Sequence, residues 1–328
     1  MGFHLPKFKP FPQLLLRKQD PLMTASASQL NRINPAFIYP NYIYEIALAT
    51  VCWGTLHRLL LVFVFKPATS YLFPVKNEDL AIYEKARKAG KNPSSKSEHD
   101  TVDTMALRRK FMSAAWKFVF FSTSFCLGAH ALSQDTWWRS PEDYFLGWPN
   151  HPMNADLKVY YVTGIGCSLY TFVMLFIDRM SFKDTMVMIL HHCATLFLLL
   201  MSYIYGCHRA GAVVLTLHDA SDPIMELAKM SLYTGRKKWA DVLFVLYATT
   251  FISTRLIVYP LYVASSVRKY AYWTDGSEVP TYFLHYAFEY LLWTLQFLHI
   301  YWGYLIFNML VQAIFNKGVS DDVRNKTD

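Results

Sequence analysis

Charge is scarce in this chain. Only 17% of its 328 residues are Asp, Glu, Lys or Arg, where a soluble domain carries about 25%. The deficit argues against a soluble enzyme, and with 24 Phe and 22 Tyr it excludes disorder. Cysteine is sparse as well. Cys52, Cys126, Cys167, Cys193 and Cys207 are odd in number, scattered, and form no CxxC pair, so neither a disulfide framework nor a zinc site is indicated. No aromatic-basic nucleic-acid motif occurs, and the net charge of +8 therefore reads as Lys and Arg beside anionic lipid. The sequence contains no internal repeat and no separate soluble domain. Prolines interrupt the short apolar patch at the N-terminus, which argues against a cleavable signal. Pro6 stands where a myristoylation motif needs Ser or Thr.

What the chain does have is long apolar runs, alternating with basic connectors at a mean hydropathy of +0.16. Seven segments, near 43–65, 111–133, 158–178, 184–205, 211–232, 240–264 and 282–314, are long enough to cross a bilayer. They predict an all-α polytopic membrane bundle of about seven transmembrane helices. The expected organisation is an N-terminal tail (1–42), a first helix (43–65), a basic cytosolic connector (66–109), a membrane domain (110–314) and a C-terminal tail (315–328). Lys and Arg number 18 in one set of alternate connectors; the other set and the N-terminal tail hold nine. The positive-inside rule then puts the C-terminus in the cytosol and the N-terminus on the luminal side.

The fifth segment, GAVVLTLHDASDPIMELAKM, is the least apolar. A charge at the centre of a membrane helix costs about 2.5–3.5 kcal/mol, and each large aliphatic returns only about 0.3–0.6. Asp219, Asp222, Glu226 and Lys229 could therefore cancel the apolar gain if they faced lipid. On a continuous helix, His218, Asp219, Asp222, Glu226 and Lys229 fall within a sector of about 100°. Pro223 would free the carbonyl of Asp219, which suits a wet cavity. A salt-bridge network between helices is the structural alternative, but five ionisable groups on one face favour function.

The fourth segment carries the adjacent pair His191 and His192, on a stripe with Asp184, Thr195 and Ser202. Imidazole can act as general base, as acyl acceptor or as metal ligand. Membrane di-iron enzymes need several histidine clusters, whereas the other histidines here are isolated, so no metal and no cofactor is expected. Cys193 lies in an apolar setting and reads as an inert core thiol. In the last span, Gln296 and His299 near Trp302 fit either a cavity wall or an aromatic lipid-interface helix.

The stretch HHCATLFLLLMSYIYGCHRAGAVVLTLHDASDPIMELAKM resembles the signature of the ceramide synthases, within the TLC-domain superfamily. Its pieces are the HH pair and Thr195, a loop with Arg209 and Gly211, and LHDxSDxxxExxK from Leu217 to Lys229. KFMSAAWKFVFF, FISTRL and LQFLHIYWGYLI extend the similarity over roughly 110–312. The resemblance implies transfer of a fatty acyl group from acyl-CoA to the amine of a sphingoid base (sphinganine, sphingosine or phytosphingosine) in the endoplasmic reticulum membrane. It also implies an intramembrane cavity. His191, His192, Asp219 and Asp222 correspond to the family's catalytic residues, and His218, Glu226, Lys229, Arg255 and His299 are the supporting candidates around them. Either an acyl-imidazole on His191 or a direct attack with histidine as base explains these residues. Arg236, Lys237 and Lys238 are candidates for the CoA phosphates, although ordinary positive-inside charge accounts for them too. A homodimer or an accessory subunit is a further expectation. Some members carry a homeobox-like domain between the first two spans, and this chain has only a short basic connector there. A non-catalytic TLC lipid-binding or regulatory protein would share the fold but is expected to lack the full HH plus LHDxSD set. A secondary transporter would be expected to show inverted repeats.

Overall fold

The computed structural model describes residues 40–88, 96–146, 148, 151–177, 185–270 and 279–316, all of them helix, turn or loop. The first span begins as α1 (Pro40–Leu60), with Pro40 at its first turn, where a missing N–H costs nothing. It passes through a π-helical turn, Leu61–Phe65, into α2 (Lys66–Leu72). A short surface helix, α3 (Asn77–Lys88), leads to α4 (Lys96–Ser133). Two 3-10 turns, Trp137–Arg139 and Pro141–Tyr144, cap that end. Next come α5 (Ala155–Ile177) and α6 (Thr185–Ile204). After them are α7 (His208–Asp219) and α8 (Asp222–Tyr233). α9 (Lys237–Phe251) runs through a π-helical stretch, Ile252–Ala264, into α10 (Ser265–Tyr270). α11 (Val279–Asn316) closes the bundle.

Among the described residues, five helices are long and apolar enough to cross a membrane: Tyr42–Leu72, His99–Ser133, Ala155–Phe176, Met186–Ile204 and Lys237–Tyr270. They correspond to the first four expected spans and the sixth. α11 covers the seventh with 38 residues but carries Gln296, His299 and Asn308 along its length. The expected fifth span is not one helix. It breaks at Ala220–Ser221 into α7 and α8, each of 12 residues. Pro223, at the start of α8, cannot donate to the turn before it.

α4 is 38 residues long, about 57 Å at 1.5 Å per residue, against a hydrocarbon core of about 30 Å. Its first third therefore stands beyond the apolar slab. There Arg108 donates Nε and Nη2 to the carbonyl of Phe73, at 3.0 and 2.6 Å, and satisfies the end of the first span. α8 packs between α4 and α9, and α1 lies along α5. Gly166 on α5 makes that last approach possible: a Cβ there would stand 2.7 Å from the Cβ of Ala49. The outward faces carry exposed Leu48, Val51, Phe63, Val245 and Phe307, as lipid contact requires.

Candidate active site

The interruption between α7 and α8 builds the site. A helix end leaves carbonyls without intrahelical partners, and Arg255, from the π-helical stretch of the sixth span, supplies one. Its Nη2 donates to the carbonyl of His218 at 2.5 Å and to Oδ1 of Asp222 at 2.6 Å. The carbonyl that gains this side-chain partner is that of His218, one residue before the carbonyl of Asp219 that Pro223 leaves without a helical donor. A helical count through the whole fifth segment does not apply across this break. Asp222 opens α8, where a carboxylate meets the positive end of the helix dipole. Ser221, fully enclosed, donates to the same Oδ1 at 3.1 Å.

Each neighbouring ionisable group is held differently. Glu226 is 1% exposed and accepts from Lys229 Nζ at 3.1 Å, one turn away. Asp219 is 3% exposed, and its Oδ2 accepts from the Ser124 hydroxyl of α4 at 2.5 Å. His218 Nδ1 lies 2.7 Å from the carbonyl of Val214, which can only accept, so that nitrogen carries the proton. Its Nε2 then accepts from Nε2 of His299 at 2.8 Å. Both nitrogens of His218 are engaged, so it offers no base to a substrate. His299 is 0% exposed and stands behind His218 on α11, not on the cavity surface.

His191 is held by rings. Its centroid lies 5.2 Å from Trp302, 5.5 Å from His192 and 6.5 Å from His218. Its Nδ1 has no hydrogen-bond partner among the described residues. Among the described residues no carboxylate is bonded to its Nδ1, and Asp222 is committed to Arg255. His192 lies against Phe172 at 6.3 Å. Thr195 and Ser202 follow His191 along the cavity wall, as the stripe predicts, while Asp184 lies outside the described residues. Ser202 is fixed by the hydroxyl of Tyr161 at 2.6 Å, and Gly211 sits so close to that hydroxyl that no Cβ would fit.

These groups face one cavity of about 930 Å³, running along the inside of the bundle. His191, His192, His218, Asp219, Asp222, Glu226, Lys229 and Arg255 all line it, near mid-length. One end carries Arg58, Arg109, Lys110 and Lys117; the other is apolar, with Phe145, Val263, Val267, Phe288 and Leu292. Arg236, Lys237 and Lys238 are exposed and do not line it. Among the described residues no three His, Cys, Asp or Glu side chains converge as metal ligands. The cations at the cavity end had a signal in the sequence: Lys110, Ser113, Lys117 and Ser124 recur at intervals of three, four and seven, one face of α4. Trp302 had none beyond its place near His299.

Residues 110–308 match the TLC domain family. Ceramide synthase LOH1 of Arabidopsis thaliana is 33% identical over 302 residues, covering 88% of this chain and 93% of its own length. Alternaria stem canker resistance protein 1 of Solanum lycopersicum is 35% identical over 229 residues, 67% of this chain and 74% of the relative. Ceramide synthase 5 of Mus musculus is 32% identical over 216 residues, 66% of this chain and 51% of the relative. The TLC-domain match over 110–308, with the alignment to LOH1 across 88% of this chain and 93% of that relative, places the chain in the ceramide synthase family of TLC-domain membrane proteins.

Proposed function

We propose that this protein is an acyl-CoA-dependent N-acyltransferase that acylates a sphingoid base, giving ceramide or dihydroceramide and CoA. The observation that carries the reading is the order of chemistry along the cavity. Cations stand at one end, ionisable catalytic groups in the middle, and an apolar wall at the other end. An acyl-CoA has the same order: phosphates, then thioester, then alkyl chain. Arg58, Arg109, Lys110 and Lys117 would hold the phosphates through charge-assisted contacts. The apolar end removes the alkyl chain from water.

His191 is the acyl acceptor in this reading. Attack on the thioester gives an acyl-imidazole and splits a slow aminolysis into two easier steps. His192, adjacent on the same wall, is positioned to move the proton that the thiolate takes up. The basic end faces the cytosol, the N-terminus the lumen and the C-terminus the cytosol, in the endoplasmic reticulum membrane.

The test uses purified full-length protein in lipid nanodiscs. Acyl-CoA and sphinganine should yield dihydroceramide and stoichiometric CoA, followed by mass spectrometry. Acyl-CoA without amine should leave an acyl adduct on the peptide containing His191. Amide formation without the adduct would replace the covalent route by direct attack, and no amide with any sphingoid base would end the assignment.

A further inference from the structure

Three carboxylates line the middle of the cavity, and two of them already have a cation: Asp222 has Arg255 and Glu226 has Lys229. Asp219 is buried, yet no Lys, Arg or His side chain among the described residues pairs with it, and a serine hydroxyl holds it. An uncompensated buried carboxylate is costly, so an unsupplied partner calls for explanation. Arg255, which could have served, is spent on Asp222 and the His218 carbonyl. Asp219 lines the same cavity as His191, on the residue after His218, whose ring centroid lies 6.5 Å from that of His191.

Resting on the N-acyltransferase reading, we infer that Asp219 is the catalytic residue that receives the ammonium group of the sphingoid base and takes its proton. An alkylamine with a pKa of about 10 arrives protonated at neutral pH and cannot attack in that form. The carboxylate pairs with the ammonium and accepts one proton. The freed lone pair forms the new C–N bond at the acyl carbon. The bond from that carbon to its carrier, thiolate or imidazole, breaks with its electron pair, and the carrier takes the amine's second proton. Asp219 returns its own proton to water, so the sum is amide, CoA and one proton. The Ser124 hydroxyl fixes Oδ2 and aims the carboxylate. Asp222 is by contrast a positioning residue that holds the broken helix.

The inference is tested by changing the acceptor as well as the enzyme. A long-chain O-alkylhydroxylamine is uncharged at neutral pH, so it needs neither a counter-ion nor a base. Asp219→Asn should lose about a hundredfold or more in kcat/KM toward sphinganine, the range of a lost general base, yet only a few-fold toward the alkoxyamine. Asp222→Asn should lose equally with both. Ser124→Ala, which keeps the carboxylate, should cost about tenfold toward sphinganine and little toward the alkoxyamine. It provides the same contrast if Asp219→Asn does not fold. Equal losses for both acceptors in Asp219→Asn and Ser124→Ala, or no loss in either, would overturn the inference. Wild-type protein that acylates neither acceptor would instead defeat the N-acyltransferase reading itself.

Discussion

Arg255 Nη2 reaches Oδ1 of Asp222 at 2.6 Å, and the same nitrogen serves the carbonyl of His218 at 2.5 Å. A single side chain from the sixth span thus ties the last turn of α7 to the first residue of α8. It comes from a π-helical stretch, Ile252–Ala264, that also accommodates Pro260. Such wide turns recur at functional sites because they displace a side chain from the ordinary helical register.

Arg255→Ala should therefore leave Asp222 buried and unpaired, at a cost of about 3–5 kcal/mol. Thermal unfolding in nanodiscs should report a large loss. The double variant Arg255→Met with Asp222→Asn should recover much of that stability, since neither charge remains, without recovering turnover.

The cationic end and the exposed 236–238 cluster make opposite predictions. Lys110→Gln with Lys117→Gln should raise KM for acyl-CoA about tenfold with kcat little changed, and the difference should shrink as salt screens it. Lys237→Gln with Lys238→Gln should leave KM where it was. Steady-state kinetics at two ionic strengths checks both.

Removing the ring behind His218 tests its role as a support. His299→Phe strips the donor from Nε2 of His218 and should destabilise by about 1–3 kcal/mol. The pH profile of turnover should keep its shape, because His218 supports the site and takes no proton from a substrate. A displaced acidic limb would show that His218 itself titrates as a base in the reaction.

Orientation has a built-in reporter. Asn325-Lys326-Thr327 is a glycosylation sequon near the C-terminus. A tail extended by a second sequon should show no glycosidase-sensitive mass shift if that end is cytosolic. A shift would place the basic cavity end on the luminal side, away from cytosolic acyl-CoA.

Much of this was legible because the constraints are blunt. Charges on a membrane segment must face inward, so His191, His192, Asp219, Asp222, Glu226 and Lys229 could be gathered from hydropathy alone, and the structure gathers them on one cavity. The partnerships were not legible. Pairing Asp222 with Arg255 joins residues 33 apart through a π-helical register that no periodicity announces. The break at Ala220–Ser221 was visible only as Pro223, which bends some helices and splits others. Ser124 shares a helical stripe with Lys110 and Lys117, but its bond to Asp219 is made by a helix 95 residues away, which that stripe does not announce.

α1 contributes more than an anchor. Residues 110–308 carry the TLC-domain match, but His57, Arg58 and Leu61, which precede that region, line the cavity as well. His57 is stacked on Trp116 at 4.2 Å and bonded to the Tyr170 hydroxyl at 2.6 Å, so the first span is stitched to α4 and α5 at the cavity's edge. A fragment beginning at residue 110 would keep the His and Asp residues of the site and still lose a wall, together with Arg58 and Arg109. Its cavity would open sideways to lipid, and acyl chains from the bilayer would compete for space that the whole chain reserves. The smallest working unit is therefore larger than the recognisable domain, and a minimal version of this enzyme has to be cut before the first span, not after it.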